Sequence, residues 1–201
     1  HRKHIALVLD FGGGTFDISV IETTKSGDVS QSGTNSKPLG AKSVQVGGFF
    51  INRQLAADLL IKAVAKELRA DVRKSIDRAD RIKTPDDLAE VAEKQQTFFR
   101  HYRRLLQTVE TAKLSVCNLI ANWNLEADLS GVTPFPISVP TDPYDPASRM
   151  ATLRLDAGML RHAFEEGVWK AKMRDAVRKT LERAASELKG QEISVVLLSG
   201  G

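Results

Sequence analysis

Hydrophobic and polar positions divide the chain into stretches of different period. Residues 5–9 are an almost unbroken apolar run, the pattern of a strand buried on both faces. Asp10-Phe11-Gly12-Gly13-Gly14 follows as a turn, and then Phe16, Ile18 and Val20 alternate with Asp17 and Ser19 at the strand period of two. The opening therefore reads as a hairpin. Residues 24–45 are rich in Gly, Ser, Thr, Asn and Lys, with a second turn expected at Gly27-Asp28 and short strands at 29–33 and 43–46. Gly47-Gly48 closes the section.

A helical period takes over next. Ala56, Leu60, Val64 and Leu68 recur every four residues, with Leu59 and Ala63 widening the stripe. Thr84-Pro85-Asp86-Asp87 is a helix start: a Thr cap, Pro at the first helical position and acids in the first turn. A second helix is predicted from there, with Leu88, Val91, Phe98, Tyr102, Leu105, Val109, Ala112 and Val116 on one face.

Residues 124–129, 135–139 and 151–155 read as short strands. Five of the seven prolines fall at 134, 136, 140, 143 and 146, so the connections are stiff turns or edges. Asp156 is expected to cap a short helix, and a longer one is predicted over 168–188, with Val168, Met173, Val177, Leu181 and Ala184-Ala185 inward and Gly190 at its end. Residues 193–198 complete the pattern as a buried strand. The sum is an α/β core (1–47 and 156–201) interrupted by an inserted α+β subdomain of long helices and a small sheet (48–155).

Composition adds limits. With 201 residues, 42% hydrophobic and 27% charged, the chain has the balance of a globular protein. A net charge of +4, with positive and negative residues interspersed, gives no nucleic-acid footprint. No apolar run approaches the roughly 18–20 residues of a membrane span, so neither nucleic acid nor membrane is an expected partner. A single cysteine, Cys117, cannot form an internal disulfide; with no signal peptide at the start, a cytoplasmic location is expected. The chain opens almost directly on a strand without Met and stops at Gly200-Gly201, and it reads as an excised piece of a longer protein.

The chemistry concentrates in Asp10-Phe11-Gly12-Gly13-Gly14-Thr15-Phe16-Asp17. Three consecutive glycines leave no side chain in a ligand's way, and their N–H groups can converge on a phosphate. Thr15 adds a hydroxyl, and Asp10 and Asp17 place carboxylates on either side, suited to hydrated Mg²⁺ or to orienting a water. No Gly-Lys-Ser/Thr is present, the spacing is not that of a dinucleotide fold, and the kinase catalytic loop is missing despite Asp10-Phe11-Gly12. A glycine turn without ligand is the plain alternative, and the flanking acids and threonine weigh against it. His101 and His162 have no metal-ligand spacing, and Trp123 and Trp169 read as packing residues.

The stretch Leu7-Val8-Leu9-Asp10-Phe11-Gly12-Gly13-Gly14-Thr15-Phe16-Asp17-Ile18-Ser19 resembles the second phosphate motif of the 70-kDa heat-shock chaperone family, within the actin-like ATPase superfamily. In the same order, Val46-Gly47-Gly48, Glu110-Thr111-Ala112-Lys113 and Val195-Val196-Leu197-Leu198-Ser199-Gly200-Gly201 resemble its Leu-Gly-Gly, its adenosine-touching Glu-x-Ala-Lys and the start of its adenosine motif. The resemblance spans essentially the whole chain as the second lobe of the ATPase domain. It implies an actin-like, ribonuclease H-like half-domain and ATP or ADP with Mg²⁺ as cofactors. Gly12, Gly13 and Gly14 would cradle the β- and γ-phosphates, and Thr15 would contact the γ-phosphate. Asp10 would bind Mg²⁺ through its water shell, and Asp17 would help place that shell or the attacking water. Glu110 and Lys113 would flank ribose and adenine, and Gly200 and Gly201 would admit the nucleotide to the backbone.

Leu114 stands where many family members have an arginine, and Cys117 where they often have a serine; Phe49-Phe50-Ile51 replaces an acidic pattern. These departures describe a divergent member. The implied partners are the first lobe of the ATPase domain, a co-chaperone or nucleotide-exchange factor, and protein clients. Without the other lobe, this chain is expected to bind adenine nucleotide weakly and hydrolyse it negligibly. A filament-forming actin-like protein, a small-molecule kinase of the superfamily and a non-catalytic binding module are the alternatives.

Overall fold

The computed structural model describes residues 3–24, 36–79, 81–82, 84–120 and 128–200. The turn expected at Gly27-Asp28, the strand at 29–33, most of that at 124–129, Trp123 and Gly201 lie outside the described residues. The chain is mixed α/β and divides into two compact units, residues 1–50 with 164–201, and residues 51–163.

In the first unit, β1 (Lys3–Phe11) and β2 (Phe16–Thr24) form the expected antiparallel hairpin. A third strand, β3 (Ser36–Val44), longer than the pattern indicated, runs antiparallel to β2. The final strand, β6 (Val195–Gly200), lies parallel to β1, giving the order β3-β2-β1-β6. Phe16, Ile18 and Val20 are buried in alternation, and Ile5, Ala6 and Leu7 are buried consecutively. The closing strand is not buried, contrary to its apolar sequence. Among the described residues it pairs with β1 alone and sits at the sheet edge, exposed along its whole length, with Leu198 80% exposed.

Helix α6 (Arg174–Leu188) packs across β2 and β3. Its buried positions are Ala176, Thr180 and Ala184, whereas Val177 and Leu181 are half-buried and Ala185 is exposed. Gly40 explains the choice of small residues. A Cβ there would lie 3.3 Å from the Thr180 carbonyl oxygen and 3.4 Å from Ala184 Cβ, so helix and strand meet nearly backbone to backbone. Residues 163–173 (Ala163–Met173) form a π-helical segment before α6, where a plain helix from 168 was expected. Lys189 (φ 48°) and Gly190 (φ 82°) are both left-handed and end α6 together.

The second unit is helical with one hairpin. The stripe from Ala56 to Leu68 is interrupted: α1 (Gly48–Ala63) stops, Ala65 is extended, and a 3₁₀ turn (Lys66–Leu68) leads into α2 (Arg69–Ala79). The helix predicted from Pro85 is likewise two. Thr84 and Asp87 cap α3 (Pro85–Ala89) reciprocally, the signal the sequence carried. Ala92 is then extended (ψ 146°), the Gln96 amide donates to the Val91 carbonyl at 2.9 Å, and α4 (Glu93–Asn118) begins afresh.

Helix α4 packs on β4 (Phe135–Pro140), which pairs with β5 (Met150–Leu155). Phe98 stacks between Tyr102 and Tyr144 at centroid distances of 5.8 and 5.4 Å. Full burial of one such ring is worth about 1.5–3 kcal/mol. Asp156 caps α5 (Ala157–His162) by accepting from the Met159 N–H at 2.8 Å, as expected. Among the described residues no helix is long and apolar enough to cross a membrane.

Candidate functional site

Pairing of Phe11 with Phe16 leaves residues 12–15 as the turn between β1 and β2. The Gly12 N–H donates to the Thr15 carbonyl at 2.9 Å and closes the turn. None of the three glycines has a left-handed φ. A Cβ at Gly13 or Gly14 would meet nothing within 4 Å, and one at Gly12 would meet only the Thr15 carbonyl oxygen at 3.6 Å. Neither packing nor backbone angle therefore requires glycine at these three positions. Gly47 and Gly200 differ. A Cβ on Gly47 would overlap the Gly12 carbonyl oxygen and lie 2.7 Å from Gly13 C, and Gly200 has φ 126° with its Cβ position against the Phe11 backbone.

The carbonyls of Gly12 and Gly13 accept from the Gly48 and Phe49 N–H groups, at 3.1 and 2.9 Å. Both peptides are trans, so the N–H groups of Gly13 and Gly14 point the opposite way, into the open side of the turn. Among the described residues these two amides take no hydrogen-bond partner, and both residues are exposed.

Beside the turn lies a polar row. Asp10 pairs in register with Asp17 on β2 and Ser199 on β6, and Asp17 pairs with Ser43 on β3. Alternation puts all four on the face opposite Phe16, Ile18 and Val20. The Thr15 hydroxyl donates to Asp17 Oδ2 at 2.8 Å. Hydrogen bonds from Ser43, chiefly, and from Thr15 hold the Asp17 carboxyl below its ordinary range. Two carboxylates directly opposed on neighbouring strands repel unless something positive lies near them. No cluster of three or more His, Cys, Asp or Glu side chains suited to a metal occurs among the described residues. Two carboxylates with hydroxyls nearby are instead the sparse donor set that Mg²⁺ accepts, since it keeps much of its water. The carboxyl ends of the parallel β1 and β6 meet here, the edge at which open α/β sheets take ligands.

Glu110 and Lys113 lie on α4 in the second unit, with Lys113 Nζ 2.8 Å from Glu110 Oε2. The Asn52 amide on α1 donates to the same oxygen. Burial pushes the Glu110 carboxyl up, but the bonds from Lys113 and Asn52 outweigh it and hold the group below its usual value. Asn52 is buried, and its Oδ1 has no partner among the described residues. Cys117 is half-buried, and burial pushes its thiol up, which disfavours the nucleophilic thiolate. Leu114 is exposed.

Of the residues singled out in the sequence, Asp10, Gly12, Gly13, Gly14, Thr15, Asp17 and Gly200 gather at one end of the first unit's sheet. Glu110 and Lys113 form a pair in the second unit, and Gly201 is outside the described residues. Sequence reasoning missed Ser43 and Ser199, which follow only from strand register, and Asn52. That asparagine did carry a signal, since it stands four residues before Ala56 on the buried stripe of α1. No protein-family model matches the chain, and none of the curated proteins matches it.

Proposed function

We propose that this chain is a nucleotide-binding lobe of the 70-kDa heat-shock type, an actin-like half-domain whose parent binds and hydrolyses Mg-ATP to drive conformational change in protein folding. The glycine turn carries the reading. Gly13 and Gly14 present free amides into open space, and the opposed Asp10 and Asp17 carboxylates stand beside them. The fold gives no reason for glycine at those positions, and room for a phosphate supplies one.

Gly13 and Gly14 would hold phosphate oxygens through their amides, while the Gly12 N–H stays committed to closing the turn. Asp10 and Asp17 would hold hydrated Mg²⁺, which supplies charge neutralisation for the phosphates. Thr15 donates its proton to Asp17 and so offers lone pairs outward; donation to a phosphate oxygen requires it to leave Asp17. Asp17 then has an acceptor oxygen free to orient a water. The rest of the chemistry is positioning and charge stabilisation, so a lobe lacking its counterpart is a poor enzyme. The resemblance assigns Glu110 and Lys113 to ribose and adenine, and Asn52 fixes the Glu110 carboxylate.

Calorimetric titration of the chain with Mg-ADP and Mg-ATP, beside Gly13→Asp, tests the reading. Weak binding that disappears in the variant is the expected result. Absence of binding by the unaltered chain, or equal binding by the variant, overturns it.

A further inference from the structure

Helix α1 begins without a side-chain cap: its N-cap position is Gly47, and its first turn contains no acid. The N–H groups left unpaired at a helix start need acceptors from somewhere. Here Gly48 and Phe49 donate to the Gly12 and Gly13 carbonyls at 3.1 and 2.9 Å, and Phe50 donates to the Gly47 carbonyl at 3.0 Å. The glycine turn thus serves as the cap of α1, and the positive end of the helix dipole rests on two turn carbonyls.

That contact has a second effect on the same peptides. Each hydrogen bond fixes the plane of a trans peptide, and a fixed plane fixes where its N–H points. Accepting at Gly12 O and Gly13 O sets the direction of the Gly13 and Gly14 amides. It also polarises them, because a carbonyl that accepts a bond makes its own N–H a stronger donor. Gly47 is what lets the helix come this close, since its Cβ would overlap the turn backbone.

We infer that the Gly47–Phe49 helix start is a positioning element for the anion-binding turn. Its amides hold and polarise the Gly13 and Gly14 donors without touching the ligand. The inference rests on the proposed function and adds to it three positions with no contact to nucleotide. Without the brace, two consecutive glycine peptides would rotate freely, and binding would have to order them.

Two variants at Phe49 isolate the effect. Phe49 is 54% exposed, so Phe49→Ala keeps the N–H and removes only a surface side chain. Phe49→Pro removes the N–H in the first helical turn, where proline is tolerated. Gly47→Ala pushes helix and turn apart. Mg-ADP affinity is measured by calorimetry and amide hydrogen exchange by NMR, with sodium tripolyphosphate as a base-free probe. In the unaltered chain the Gly48 and Phe49 amides are protected, the Gly13 and Gly14 amides exchange freely, and the latter pair shifts when either probe is added. Phe49→Pro and Gly47→Ala weaken both probes about tenfold or more, the scale of one hydrogen bond to a charged group. Phe49→Ala binds as the unaltered chain does, and all three variants keep protection in the β1–β2 ladder.

Unchanged affinity in Phe49→Pro with that ladder intact overturns the inference and leaves the functional reading standing. Free exchange at Gly48 and Phe49 in the unaltered chain also overturns it, even if a variant fails to fold. An unaltered chain that binds neither probe overturns the functional reading, and the inference with it.

Discussion

Asp10 and Asp17 face each other as a registered pair across the β1–β2 hairpin, on the face turned away from the buried Phe16, Ile18 and Val20. A hairpin selected for stability alone would not place two acids there, because like charges directly opposite weaken the pairing. The proposed function accounts for the pair by having hydrated Mg²⁺ complete it.

Asp10→Asn therefore separates stability from binding. Without metal, the variant unfolds at a temperature equal to or above that of the unaltered chain, because the opposed charge is gone. With Mg²⁺, its ADP affinity falls about tenfold or more. Thermal unfolding with and without Mg-ADP checks both halves, and a variant that loses stability without metal while retaining Mg-ADP binding contradicts the assignment.

The glycines divide into two classes under substitution. Gly13→Ala costs no stability and gains up to about 1 kcal/mol by restricting the unfolded chain, because its φ is ordinary and its Cβ position is open. Gly200→Ala costs about 1–3 kcal/mol from the φ of 126° alone, with more from overlap on Phe11. Urea denaturation of both variants gives the contrast. For Gly13→Ala, nucleotide binding falls although stability is kept or raised.

Acid acts on Asp17 in a defined direction. Its carboxyl lies below the ordinary value of 3.8 because Ser43 and Thr15 donate to the ionised form. The stabilisation is fully present above that ordinary value and is lost as pH falls through the depressed folded value. Ser43→Ala moves the titration upward more than Thr15→Ala, since Ser43 is the larger cause. Carboxyl-carbon NMR titration of the three proteins reads the order directly.

The exposed edge strand makes a further expectation. Val195, Val196, Leu197 and Leu198 are all exposed on a strand whose outer edge has no partner among the described residues. Such an edge, apolar and free of charge, invites pairing between chains. Leu198→Lys lowers concentration-dependent association in sedimentation velocity and leaves the unfolding transition unchanged, because the side chain is 80% exposed.

Much of the first unit was legible because its signals are local. Period two in Phe16, Ile18 and Val20, and a glycine turn before them, specify a hairpin without outside help. Strand β6 was misread because an apolar strand reads the same whether neighbours cover it or not. The breaks at Ala65 and Ala92 were invisible for another reason: the apolar stripe continues across them, and the stop comes from single extended residues and the Gln96 amide. At the site, Asp10, Thr15 and Asp17 stood out by type and spacing. Ser43, Ser199 and the Gly47 contact depend on register and on the seating of α1, neither of which leaves a pattern in a single sequence.

The open space above Gly13 and Gly14 makes the turn a recorder of what selection has acted on. A library of variants chosen only for resistance to proteolysis would let positions 13 and 14 fill with many side chains, while 47 and 200 stayed glycine for steric and angular reasons. The same library passed over an immobilised triphosphate would hold all four positions as glycine. Comparing the two outcomes position by position would map which atoms of this hairpin answer to the fold and which answer to a ligand.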